Sequence, residues 1–171
     1  RALKLEFKPV KPTFLGLKSF DDYPLELLVP YIDWTPFFAS WDLVGRYPAI
    51  LEDDIVGEAA RSLYRDARAM LEQLVVEKWV RASGVVGFWP ANAQGDDIVL
   101  WTDEARTAER ARLYTLRQQM DKGEGKTNIA LSDFIAPTGV ADYIGGFAVT
   151  AGIGEEDVAI RFKCANDDYS A

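Results

Sequence analysis

Histidine is missing from this chain of 171 residues, and cysteine occurs once, as Cys164. Without histidine there is no Ser-His-Asp or Cys-His catalysis, and a single thiol forms neither an internal disulfide nor a Cys/His zinc site. No apolar run approaches the roughly 18 residues that span a membrane. The N-terminal residues lack the continuous apolar stretch of an export signal. We therefore expect a soluble, cytoplasmic protein.

Positive charge is scarce outside the N-terminus. The chain has 19 Lys+Arg against 27 Asp+Glu, which gives a net charge of −8. Residues 1–20 carry five basic side chains and one acidic one, so the rest of the chain is more strongly acidic than the total suggests. An acidic surface repels the phosphate backbone, and nucleic acid is not an expected partner. We interpret residues 1–20 as a basic arm or linker and residues 21–171 as one body.

The N-terminal half of the sequence predicts a strand, a compact aromatic segment and a long helix. Apolar residues alternate with charged ones over residues 3–7, as in a half-buried strand. Residues 23–48 are rich in aromatics and prolines, which suits short helical turns, with Thr35 as the N-cap of one of them. Apolar residues recur at helical spacing over 54–78, so we predict a helix there that is closed by Ser83-Gly84.

The C-terminal half predicts several strands and the start of a further helix. Apolar residues 85–89 and 98–101 flank a glycine-containing turn, which predicts an antiparallel hairpin. Residues 105–119 combine strand and helix features, and we favour a strand that runs into a helical end. The glycine-containing segment 143–150 predicts a buried strand, and the acidic run 155–157 begins a helix.

Two glycine motifs resemble nucleotide-binding loops but lack required residues. Gly125-Lys126-Thr127 would need a glycine in place of Met120 to complete a P-loop. Gly152-Ile153-Gly154 follows an apolar strand, but the acidic run 155–157 after it would repel a pyrophosphate. We interpret the first motif as part of a loop and the second as a glycine-rich strand end and turn.

The motif Trp89-Pro90-Ala91-Asn92 ends an apolar strand with an aromatic ring and an amide. Such a pair can stack on a ligand and hydrogen-bond to it, or it can close a core. The residues alone leave both interpretations open.

Carboxylates supply the candidate site residues. The cluster 52–54 suits the positive end of the following helix better than a metal ion. Asp96 and Asp97 are adjacent, and adjacent strand residues point to opposite faces, so a turn or strand-end role is favoured over a shared acid/base or magnesium site. Asp33 lies among aromatic residues, where we expect partial burial and therefore a partner. An arginine, a group of backbone amides and a cationic ligand all remain open as that partner.

Several longer motifs follow one another along the chain, and they are YIDWTPFF at 31–38, GVVGFWPAN at 84–92, LRQQ at 116–119, LSDFIAP at 131–137 and DYIGGFAVTAG at 142–152. In this order they resemble the activation (reactivation) domain of cobalamin-dependent methionine synthase. The matching motifs extend over nearly the whole chain, and the set is far more specific than a single glycine motif.

The resemblance implies an α+β fold, with a twisted antiparallel sheet and flanking helices, that binds S-adenosylmethionine without a Rossmann glycine loop. It implies docking on a cobalamin-binding module and electrons from a flavodoxin-type reductase, for reductive methylation of cob(II)alamin by S-adenosylmethionine. It also implies that Asp33, in the YIDW motif, is a cofactor-binding residue that accepts a hydrogen bond from the ammonium group or another polar group of the ligand. It assigns no catalytic residue and no metal ligand.

The family's segment Arg-Pro-Ala-Pro-Gly-Tyr-Pro, which contacts the ligand, has no counterpart in this sequence. We therefore expect the chain to be the N-terminal half of the activation domain of a methyltransferase, methionine synthase, and not to be competent alone. The alternative is a non-catalytic module of the same fold that docks on a cobalamin protein or a reductase.

Overall fold

The computed structural model describes residues 8–171, so the strand predicted over residues 3–7 lies outside the described part. The β-strands are β1 (Gly16–Phe20), β2 (Arg81–Gln94), β3 (Asp97–Trp101), β4 (Glu109–Leu113) and β5 (Asp142–Ile153). The α-helices are α1 (Trp34–Ser40), α2 (Gly57–Glu77) and α3 (Glu155–Cys164). Short 3₁₀ helices are formed by Leu25–Leu27, Val29–Tyr31, Ala49–Glu52 and Leu131–Phe134.

The strands form one sheet in the order β1-β2-β3-β4, and β5 also pairs with β2. The β2–β3 and β3–β4 pairs are antiparallel, with Val99 opposite both Asn92 and Arg112. Gly95 and Asp96 form the tight turn between β2 and β3, and Gly95 has a φ of 64°, which glycine adopts without a steric penalty. The predicted antiparallel hairpin and the mixed helix and sheet fold are confirmed.

The chain divides into two compact units. One unit contains residues 85–148 together with the described residues up to Ser19, and the other contains residues 20–84 and 149–171. The division into an arm of residues 1–20 and a body of residues 21–171 stays a prediction. Residues Gly16–Phe20 of that arm form strand β1.

In the unit that contains residues 85–148, a polar side chain lies at the centre of the core. Asn92 is fully buried, beside the buried residues Ala91 and Val99. Its Oδ1 accepts a hydrogen bond from Trp101 Nε1 at 3.0 Å, and its Nδ2 donates to the carbonyl oxygens of Ala136, Pro137 and Val140 at 3.2, 3.1 and 2.7 Å. The amide therefore links β2 to the segment before β5, and the Trp89–Asn92 motif closes a core here.

In the other unit, α1 and α2 pack around an apolar cluster of Trp34, Phe38, Ile50, Ala60 and Leu63. The predicted long helix is confirmed as α2, and it ends because Lys78 adopts the left-handed conformation, with a φ of 51°. The prediction that Ser83-Gly84 closes the helix is wrong, since both residues lie inside β2.

The acidic cluster before α2 acts at the start of the helix, as expected. Asp53 Oδ1 accepts hydrogen bonds from the backbone N–H groups of Ile55 and Val56 at 2.8 and 2.9 Å. These bonds, from Val56 first and then Ile55, lower the pKa of Asp53 because they favour the charged carboxylate. The carboxylate thus satisfies the backbone donors of the two residues that lead into the helix.

Two other predictions need correction. Over residues 105–119 the strand β4 is present, but residues 114–130 have no regular structure and the helical end is wrong. Strand β5 is present, but its predicted burial is wrong, because Phe147 and Val149 are 78% and 67% exposed. An apolar run predicts burial only if a second layer covers it, and no layer formed by residues 8–171 covers these side chains. None of the helices in this part of the chain is both long and apolar enough to cross a membrane.

Replacing Asn92 with alanine should lower the free energy of unfolding by about 2–4 kcal/mol, because Trp101 Nε1 and the three carbonyl groups lose their partner inside the core. Urea unfolding measured by circular dichroism checks this. The same replacement at Asn128, whose side chain donates one hydrogen bond to the Met120 carbonyl, is the matched control and should cost less than about 1 kcal/mol. Equal losses for the two variants would contradict the central role of Asn92.

Candidate functional site

Asp33 is the N-cap residue of α1. Its backbone is extended, with φ −83° and ψ 110°, and its Oδ1 accepts a hydrogen bond from Thr35 N at 3.0 Å. The side chain is exposed, so the predicted partial burial is wrong. The predicted N-cap at Thr35 is wrong as well, because the helix begins at Trp34.

The local sequence explains why the burial falls on Trp34 and not on Asp33. Trp34 and Phe38 are four residues apart, so both lie on the same face of α1, and they are 8% and 0% exposed. The Trp34 ring meets the Tyr64 ring of α2 edge to face, with centroids 4.9 Å apart. This packing holds the first turn of α1 against α2, and the N-cap residue before that turn faces solvent.

The carboxylate of Asp33 has capacity left for another donor. Of the partners that the sequence left open, the structure contains a backbone amide, that of Thr35. Among residues 8–171, no lysine or arginine forms an ion pair with Asp33, and its second oxygen accepts no hydrogen bond. The free oxygen belongs to an exposed side chain at an anchored helix end.

A second polar cluster, which was not predicted, joins the LRQQ and LSDFIAP motifs to the turn between β2 and β3. Arg117, from LRQQ, binds both carboxylate oxygens of Asp133, from LSDF, at 2.6 and 2.8 Å. Its Nε and Nη2 also donate to Asp96 Oδ1 at 3.0 and 2.6 Å. The hydrogen bonds that Arg117 donates to Asp133 first and to Asp96 second raise the pKa of Arg117, because they favour the charged guanidinium. The signal in the sequence was one charged residue in each of the LRQQ and LSDFIAP motifs and a third in the turn between β2 and β3.

Asp96 and Asp97 do not share a site. Asp96 pairs with Arg117, whereas Asp97 lies 3.6 Å from Arg112 Nη1. The prediction that these adjacent carboxylates serve a turn and a strand end is therefore confirmed. Within residues 8–171, no group of three or more acidic or cysteine side chains is arranged to hold a metal ion.

The sequence matches the family model of the vitamin B12 dependent methionine synthase activation domain over residues 24–171. This match covers most of the chain, and the chain belongs to that family. It is also similar to a crystal structure of the MetH reactivation domain bound to AdoHcy, with 47% sequence identity over 95% of this chain and a TM-score of 0.87. The chain spans 50% of that solved chain. Both the predicted family and the predicted fold class are confirmed.

In the Arg117 cluster, the buried carboxylate should matter more than the exposed one. The side chain of Asp133 is 4% exposed and that of Asp96 is 48% exposed. We expect Asp133→Asn to lower the melting temperature by at least about 5 °C and Asp96→Asn to lower it by less than about 2 °C, because breaking a buried pair leaves an uncompensated charge. Differential scanning calorimetry measures both shifts, and a larger shift for Asp96→Asn would show that the order is wrong.

Proposed function

We propose that this chain serves as part of a cobalamin-dependent methionine synthase, where it forms one side of the S-adenosylmethionine site of the reactivation domain. The proposal is supported by the family match over residues 24–171 and by the similarity to a reactivation domain bound to AdoHcy. The observation that carries it is the oxygen of the exposed residue Asp33, within the YIDW motif, that accepts no hydrogen bond from residues 8–171.

Asp33 is the proposed ligand-binding residue. Its free oxygen is suited to accept a hydrogen bond from the ammonium group that S-adenosylmethionine and S-adenosylhomocysteine share. A hydrogen bond between a carboxylate and an ammonium is charge-assisted, and such bonds are shorter and stronger than those between neutral groups. The side chain keeps its orientation before the ligand arrives because Thr35 N already holds the other oxygen.

In this proposal the remaining contacts to the ligand belong to the part of the reactivation domain that this chain does not span. The chain covers half of the solved relative, which leaves room for such contacts. In this proposal the cobalamin is bound by another module of the same enzyme, and a flavodoxin-type reductase supplies the electron. S-adenosylmethionine supplies the methyl group that restores methylcobalamin. The contribution of this chain is to hold the methyl donor in position. Methyl transfer to the cobalamin then costs less entropy, because both reactants are already bound.

A non-catalytic docking module of the same fold is the second candidate. The apolar side chains of Phe147 and Val149 favour it, because they are 78% and 67% exposed and lie on the same face of β5, and an exposed apolar patch is typical of an interaction surface. The two candidates differ in ligand binding, since a docking module does not require S-adenosylmethionine.

This chain alone should bind S-adenosylhomocysteine at least about 100-fold more weakly than the whole activation domain that contains it, because most of the ligand contacts are then missing. Isothermal titration calorimetry on both proteins measures the difference. Equal, micromolar affinities would refute the half-site. No binding by the whole domain would favour the docking module.

In the whole domain, Asp33→Asn should weaken S-adenosylhomocysteine binding by roughly five- to a hundredfold, because the charge-assisted bond is lost. Asparagine caps a helix as well as aspartate, so the melting temperature should not change. Asp33→Ser keeps the cap and lacks the second oxygen, and it should bind as weakly as Asp33→Asn. Turnover of enzyme that is already methylated should stay normal in both variants. Normal affinity in both variants would show that Asp33 acts as a helix cap alone.

A further inference from the structure

We propose that Thr35 is a positioning residue of this site. Its hydroxyl oxygen accepts a hydrogen bond from the Tyr47 backbone N–H, and this bond fixes the Thr35 backbone N–H that orients the carboxylate of Asp33. The inference rests on the proposed function, because it assumes that the free oxygen of Asp33 meets the ligand. It concerns a residue whose backbone N–H binds the carboxylate of Asp33.

Thr35 makes two contacts that connect Asp33 to a distant part of the chain. Its backbone N–H donates to Asp33 Oδ1 at 3.0 Å. Its side-chain Oγ1 accepts a hydrogen bond from the backbone N–H of Tyr47 at 3.2 Å, in a partly buried position. In the first turn of α1, the backbone of Thr35 is therefore bonded to the Asp33 carboxylate, and its side chain is bonded to the backbone of Tyr47.

Tyr47 is itself held by the core. Its ring stacks on that of Phe38, with centroids 6.4 Å apart and an interplanar angle of 15°. Its hydroxyl lies 3.1 Å from the hydroxyl of Tyr64 on α2. The Tyr47 N–H that donates to Thr35 thus belongs to a segment held by the core. Through its bonds to Tyr47 and Asp33, Thr35 restrains the N-cap residue as well.

Fixing one oxygen of a carboxylate also fixes the direction of the other. A group that is already oriented loses less conformational freedom on binding, so the ligand gains affinity without any new contact. Valine has nearly the shape of threonine but no acceptor, and in Thr35→Val the Tyr47 amide would lose its partner. Serine keeps the acceptor.

The test measures S-adenosylhomocysteine affinity by isothermal titration calorimetry in the whole activation domain. Thr35→Val should weaken binding about three- to tenfold, the equivalent of one hydrogen bond, and Thr35→Ser should restore it to within about twofold. Thr35→Ala should reproduce the loss if valine does not fit. Ser40→Ala is the matched control, because it removes a side-chain hydrogen bond to the Phe37 carbonyl at the other end of α1 and leaves Thr35 and Tyr47 intact, and its affinity should match the unmodified protein.

A double-mutant cycle separates positioning from a general structural role. If Thr35 acts through Asp33, Thr35→Val should change affinity less than about twofold in the Asp33→Asn background, because the oxygen it orients no longer carries the interaction. Equal losses in both backgrounds, or normal binding by both Thr35→Val and Thr35→Ala, would overturn this inference alone. Normal binding by Asp33→Asn would instead overturn the ligand role of Asp33, and the inference with it.

Discussion

The packing of α1 on α2 is the constraint on which the candidate site depends. Trp34 and Phe38 bury the same face of a helix of seven residues, which is too short to be stable by itself in water. Its position is therefore set by tertiary contacts, above all those with Tyr64. The buried face begins at the first helical residue, Trp34. The residue before it, Asp33, lies outside this face and is exposed.

The two units of the chain are stabilised in different ways. Around α1 and α2 the core is aromatic and apolar, and its ring contacts tolerate small adjustments. In residues 85–148 polar groups have a central place, with Asn92 bonded to four partners and Arg117 to two carboxylates. Hydrogen bonds have strict geometry, so these groups help to fix the segments 114–130 and 135–141, which are neither helix nor strand.

Elements with a local signal were predictable from the sequence, whereas those that depend on distant partners were not. The apolar spacing that predicts α2 lies within α2 itself, and the glycine that predicts the turn between β2 and β3 lies in that turn. Residues 114–119 carry helix-forming side chains, but Arg117 is held by Asp96 and Asp133, which are 21 and 16 residues away. Likewise, whether the apolar side chains of β5 are buried depends on a covering layer, and the residues of β5 do not specify one.

The candidate site shows the same division. The motif that contains Asp33 was recognisable, yet the environment of its carboxylate was predicted wrongly, because the preceding residues Tyr31 and Ile32 are themselves 85% and 38% exposed. The N-cap position also explains what the residue type adds. Serine, asparagine and aspartate cap helices about equally well, so capping alone does not require a carboxylate. Aspartate supplies a second, charged oxygen after the first has been used to hold the helix. The same side chain can therefore serve the fold with one atom and a cationic ligand group with the other, and a change that spares the cap while removing the charge separates the two roles.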